Sequence, residues 1–126
     1  MSETVNWSIS AQVKSGPSQS ASSALNVDAY DKIQAEVAPG GTTTVAVVPA
    51  GSTVRLLFIK ASAYNTLTYD VTGGETGIVL DAAQLFNGAG AVALLDAVPG
   101  SLVFHHNNAA GAATTVEILA GRDAAS

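Results

Sequence analysis

Residues 52–62 read STVRLLFIKAS, and the conformation of this run decides the fold. As a strand it sets Val54, Leu56 and Phe58 on one side and Leu57 and Ile59 on the other. A short helix is the competing reading. The β-branched and aromatic residues, confined between close turns, favour the strand. A strand apolar on both sides has to be covered on both sides. One cover is a second sheet, and the other is further protein surface such as a neighbouring subunit.

Working outward, the same two-residue period recurs. Val5, Trp7, Ile9, Ala11 and Val13 alternate with polar residues, giving a strand whose apolar face, Trp7 included, is expected in the core. Ile33, Ala35 and Val37 alternate with Lys32, Gln34 and Glu36 in a strand over residues 30–37, and TTTVAVV (42–48) is β-branched. Leu67, Tyr69 and Val71 share a face, IVL (78–80) is a short strand, and AVALL (91–95), SLVFHH (101–106) and TTVEILA (114–120) complete the set. Asp81 before AAQLF predicts an N-cap and one helical turn closed by Asn87-Gly88. Pro39-Gly40-Gly41, Pro49-Ala50-Gly51, Gly73-Gly74 and Pro99-Gly100 punctuate the chain.

Eight to nine short strands with at most one helical turn predict an all-β protein, an antiparallel β-sandwich of jelly-roll-like type. An immunoglobulin-like sandwich is the alternative, because strand order is not legible in one sequence. The 126 residues suffice for a single domain. It is expected to carry a flexible N-terminus, a Ser-rich loop over 15–29 (SGPSQSASS at its start) and a short C-terminal tail over 121–126.

Composition narrows the function classes. Charged residues are 12% of the chain against roughly 25% in a typical domain, and cysteine is absent. Small, weakly polar side chains therefore form much of the surface, which suits wide contacts with other proteins. The net charge of −5 and the five scattered basic residues supply no basic stripe, so neither nucleic acid nor an anionic membrane is an expected partner. MSETVNWSIS lacks a basic segment leading into an apolar run, so no signal peptide is expected.

Chemistry-bearing residues are few. His105 and His106 lie in FHHNNAAG (104–111), and successive strand residues point to opposite faces, so the pair cannot chelate one metal. They read as polar residues ending a strand, with Asn107 opening a turn and a subunit contact as their functional possibility, one that histidine would make pH-sensitive. No Gly-x-Ser-x-Gly elbow, phosphate loop or carboxylate pair in an apolar setting is present, so no catalytic residue, metal or cofactor is expected. Asp28 and Asp31 offer oxygens but not the spacing of a calcium loop. Sugar binding would need exposed aromatic platforms, for which Tyr30 and Tyr64 are the candidates.

The short length, the absent cysteine, the low charge, the run VRLLFIKASAYNTLTYDV (54–71) and the closing TVEILAGRDAAS (115–126) resemble the small all-β decoration, or cement, proteins of tailed-bacteriophage capsids. The resemblance implies a non-enzymatic virion protein, made in the host cytoplasm and seated on the outer capsid surface. Its partners would be the major capsid protein and further copies of itself, as a dimer or trimer. Residues 1–4, Ser15, Gly16, Pro17, Ser18, Gln19, His105, His106, Asn107, Arg122 and Asp123 are the expected contact residues. A carbohydrate- or receptor-binding module using Tyr30 or Tyr64 is the main alternative, and a tail or head-fibre domain is a third.

Overall fold

The computed structural model describes residues 3–47, 53–64, 66–95, 100–109 and 111–123. The alternating segments become strands β1 (Glu3–Gln12), β2 (Ser18–Val27), β3 (Ala29–Val37), β4 (Thr42–Ala46), β5 (Thr53–Ala61), β6 (Leu67–Val71), β7 (Ile78–Val79), β8 (Gln84–Asn87), β9 (Ser101–His106) and β10 (Thr114–Asp123). A single helical turn, α1 (Ala89–Val92), precedes β9. One sheet has the order β3-β10-β5-β8 and the other β4-β9-β6-β7, with antiparallel pairing throughout. The chain crosses between them at almost every connection, only β6 and β7 following each other within one sheet. This interleaving of two four-stranded sheets is the jelly-roll order, and it settles the choice against an immunoglobulin-like arrangement.

The core lies between the sheets. Val37, Leu57, Ile59, Val116 and Ile118 of the β3 sheet meet Val45, Leu67, Tyr69, Leu102 and Phe104 of the β4 sheet. Tyr69 and Phe104, opposite each other on β6 and β9, stack with ring centroids 5.5 Å apart and planes tilted by 39°. The Tyr69 hydroxyl donates to Gln84 Oε1 at 2.7 Å, and Gln84 Nε2 donates to the Val79 carbonyl at 2.9 Å. β8 is thereby tied across the sandwich to β6 and β7. Burial of the Tyr69 phenol pushes its pKa up.

A bulge changes the reading of β5. Its register with β10 runs evenly to Leu56–Gly121, then Val54 pairs with Arg122, so Arg55 is an extra residue. The shift returns Val54 to the core with Leu57 and Ile59, while Leu56 and Phe58 face outward, which corrects the expectation that Val54 shares their side. Two other segments also differ. Residues 84–87 form an edge strand rather than a helical turn, because Leu85 and Phe86 pair with Phe58 and Leu57 of β5. The expected strand over 91–95 is instead the end of α1 and the turn after it. Val92 and Leu95, three residues apart, are its buried residues, a helical rather than a strand spacing.

The largest difference is at the N-terminus. β1 and β2 pair with each other alone, from Glu3–Val27 to Gln12–Ser18, forming a two-stranded sheet separate from the sandwich. The expected loop over 15–29 shrinks to a turn over 13–17 and a bend at Asp28. Val13 N donates to Pro17 O at 2.9 Å and Gly16 N to Val13 O at 2.8 Å, with Ser15 at φ 59°. Trp7 is accordingly not a core residue but half-exposed on this hairpin. Glu3 and Thr4 open β1 rather than a loose terminus, and residues 1–2 lie outside the described residues.

Candidate functional site

Residues 3–27 form a β-arm with two chemically different faces. Directly opposed residues of an antiparallel pair share a face. One face therefore carries Val5, Trp7, Ile9 and Ala11 beside Leu25, Ser23, Ala21 and Gln19. The other carries Asn6, Ser8, Ser10 and Gln12 beside Ala24, Ser22, Ser20 and Ser18. Ile9 is 45% and Val13 62% exposed, so among the described residues nothing covers the outer length of the apolar face.

The arm is anchored at its base. Val27 is buried on the outer side of the β3 sheet, and a Cβ added to Gly121 would meet its Cγ1 at 3.4 Å and Leu56 Cβ at 3.6 Å. The arm thus sits down over Gly121 and Leu56 at ordinary van der Waals distance. Arg55, the bulge residue, donates from Nη1 to the Asn26 carbonyl at 3.2 Å and pairs with Asp123 at 3.5 Å. Thr4 Oγ1 donates to Asn26 Oδ1 at 3.1 Å.

The expected contact residues fall in different places. Ser15, Gly16, Pro17, Ser18 and Gln19 are all exposed at the tip of the arm. Arg122 and Asp123 belong to β10 rather than to a tail, and their charges are paired within the chain. Arg122 Nε donates to Asp31 Oδ2 at 2.8 Å, and Asp123 holds Arg55. That pairing also engages Asp31, one of the two carboxylates considered for calcium. Residues 124–126 of the expected tail lie outside the described residues. Asn107 is exposed, with Nδ2 donating to Thr66 O at 3.1 Å and Thr68 Oγ1 at 3.2 Å.

The two histidines separate as strand geometry requires. His106 is 3% exposed, which corrects its expected place at a contact surface. Its Nε2 donates to Ala112 O at 2.8 Å and its Nδ1 accepts from Asn108 N at 3.3 Å, so the ring holds the following turn in place. His105 lies on the outer face of the β4 sheet between Thr42 and Asp70. Its Nε2 lies 2.8 Å from Asp70 Oδ2 and its Nδ1 3.1 Å from Thr42 Oγ1. Asp70 Oδ1 also accepts from Gly77 N at 2.7 Å, and these bonds, Gly77 first and His105 next, hold its carboxyl below the usual range.

This hydroxyl–imidazole–carboxylate row has the hydrogen-bond order of an activated nucleophile. It lies on an open sheet face, where strand register places Thr44, Thr68 and Val103 beside it. Those neighbours offer neither a cleft nor preorganised donors for a developing oxyanion, which acyl transfer requires. Sequence reading missed the row because Thr42 and Asp70 lie 63 and 35 residues from His105, and only strand register joins them. Among the described residues, no three His, Asp or Glu side chains are grouped to hold a metal ion.

The aromatic candidates for sugar binding are far apart. Tyr30 is 54% exposed beside Gly121, near one end of β10. Tyr64 packs on the core near the other end, its hydroxyl accepting from Ala61 N at 3.2 Å, which corrects its reading as a free platform. On the outer face of the β3 sheet, Phe58 and Leu119 floor an open groove of about 240 Å³ flanked by Lys32, Lys60 and Glu117. The outward side of β5 is thus covered by the arm over Leu56 but only half-covered at Phe58. Comparison with protein-family models, curated proteins and solved structures finds no match to this chain.

Proposed function

We propose that the protein is a non-enzymatic structural protein that docks onto a larger protein assembly through its β-arm, and that the assembly is a viral capsid which it decorates and stabilises. The observation carrying this reading is the arm itself, a hairpin outside the core whose outer apolar residues Ile9 and Val13 stay exposed among the described residues. Such surface is rare without a partner, and an isolated two-stranded hairpin is at best marginally stable in water. The low charge of the chain agrees with a life in close protein contacts. The tip residues Ser15–Gln19 are the expected shell contacts, and the sandwich is the mass held on the outside of the shell.

Stabilisation would follow from mass action. A protein that binds only the assembled, expanded shell, at contacts between major capsid protein subunits, lowers the free energy of that state. The test is cosedimentation of the full chain, and of a chain lacking residues 3–27, with expanded capsids from the virus whose genome carries the gene. Binding by the full chain and loss on arm removal is the expected result. Equal binding by both, or binding by neither, would refute the proposal, as would a gene lying apart from any capsid or portal gene.

A further inference from the structure

We propose that the free edge of β3 is a docking site for an extended segment of a different protein, which joins the sheet as an added strand with apolar residues on one face and a carboxylate on the other. The inference stands apart from the arm and from the identity of the shell. β3 borders its sheet, and among the described residues it pairs with β10 alone. The other border strands, β8, β4 and β7, run for four, five and two residues, whereas β3 runs for nine. Proteins commonly keep such borders short, because unpaired backbone groups there invite another chain to pair.

The ladder with β10 fixes which backbone groups are left over. Thr115 turns its N–H and C=O toward β5, its N donating to Ser62 Oγ at 3.0 Å and its O accepting from Ser62 N at 2.9 Å. These directions alternate along an antiparallel strand, so Val116, Ile118 and Ala120 turn theirs toward Ala35, Ile33 and Asp31 of β3. Tyr30, Lys32, Gln34 and Glu36 therefore turn theirs to the free edge. The Glu36 carbonyl agrees with this direction, since it accepts from Thr43 Oγ1 at 3.1 Å, a contact that closes the edge at that end. Among the described residues nothing takes up the edge-facing backbone groups of Tyr30, Lys32 and Gln34. Three donors and three acceptors stand in a row there, at alternate residues ~7 Å apart.

The side chains on the two faces of this edge specify the strand that fits. Ile33 and Ala35 pack on the core but are only partly buried. β10 flanks them on one side, so their opening is on the side of the missing neighbour. An added strand with apolar residues on its inner face would cover them and extend the sandwich interior. On the outer face Lys32 is exposed and makes no ion pair among the described residues, while carboxylates of the chain hold Arg55, Lys60 and Arg122. Opposite charges attract across neighbouring strands, so a carboxylate opposite Lys32 sets the register. In this mode of recognition backbone bonds supply affinity and alternate side chains supply specificity.

The test uses the full chain and a short peptide, capped at both ends, that alternates threonine with valine and has aspartate at one threonine position. A matched peptide has lysine there. Amide hydrogen exchange followed by NMR reads the edge residue by residue. In the free protein the Lys32 and Gln34 amides should exchange far faster than those of Ile33 and Ala35. The aspartate peptide should slow exchange at Lys32 and Gln34 and bind about fivefold more tightly than the lysine peptide. Lys32→Glu should reverse that order. Gln34→Pro removes an edge donor and spares the ladder with β10, so the chain should still fold and lose the peptide. No slowing at Lys32 and Gln34, equal affinity for the two peptides, an order that Lys32→Glu leaves unchanged, or binding by a folded Gln34→Pro chain would each overturn the proposal. Protection of the same amides that rises with protein concentration alone would assign the edge to a second copy and overturn it as well.

Discussion

Replacing Tyr69 with phenylalanine should lower stability at neutral pH and raise it, relative to the wild type, in alkali. Tyr69 is fully buried, and its hydroxyl makes one bond, 2.7 Å to Gln84 Oε1, between the two sheets. Removing the hydroxyl keeps the ring and its stacking on Phe104, so the loss is the net worth of one hydrogen bond, about 1 kcal/mol. Burial raises the phenol pKa in the folded state. A raised value means that stability is fully present below the unfolded-state pKa of about 10 and is lost as pH rises beyond it. The unfolded chain ionises there while the folded one cannot, so the wild type loses up to about 1.4 kcal/mol per pH unit from this group alone. The Tyr69→Phe chain has no such term. The two stability curves should therefore cross between about pH 10 and 11. Urea unfolding of both chains at intervals from pH 7 to 11.5 measures this, with other titrations cancelling in the difference. Parallel curves throughout would mean that the phenol ionises equally in both states and would refute the sheet-bridging role assigned to it.

Three further outcomes follow from the same packing. Phe104→Ala, at a fully buried site against Tyr69, should cost about 3–5 kcal/mol, read from the denaturant midpoint at unchanged slope. Gly40→Ala should cost about 1–2 kcal/mol, since Gly40 has φ 68° and the new Cβ would lie 3.2 Å from Ala109 Cβ; a neutral effect on melting would refute the turn geometry. Asp70→Asn should flatten the acid limb of stability. The lowered Asp70 pKa contributes stability above the ordinary carboxylate range that is lost as pH falls through the folded value, so melts between pH 5 and 2 should converge with those of the wild type at the acid end.

Where burial contrast marked a strand, the sequence was readable. β3, β6, β9 and β10 each alternate between core and exterior, and Ile33, Val37, Leu67, Tyr69, Val71, Leu102, Phe104, Val116 and Ile118 occupy the core face as the two-residue period requires, while Val103 and Leu119 face outward. The same criterion explains the failures. SQSASSALNV over β2 has solvent on both faces for most of its length, so no periodicity develops although every residue is paired with β1. Periodicity records burial and is blind to hydrogen bonding. The bulge at Arg55 is invisible for a related reason, since it is a property of the pairing with β10 and not of β5 alone. Of the candidate site, the tip residues and the apolar stripe of β1 could be read directly. That the stripe stands outside the sandwich could not. Alternation shows that two faces of a strand differ and leaves open what covers the apolar one, so the pattern alone points Trp7 to the core.

This distinction bears on how the molecule divides its work. The core cluster contains no residue before Val37, and among the partly buried residues packed on it none precedes Ile33. Residues 3–27 therefore add no side chain to the sandwich interior. Among the described residues, their links to it include Val27 over Leu56 and Gly121, and the Arg55 contact with Asn26. Removing the arm would expose Leu56 and leave the eight-stranded core intact, at a cost set by one leucine rather than by a core layer. The apolar residues of β1 are thus not maintained by the stability of the sandwich. On the function proposed above, Trp7, half-buried, and Ile9, exposed, serve an interaction beyond the protein's own fold.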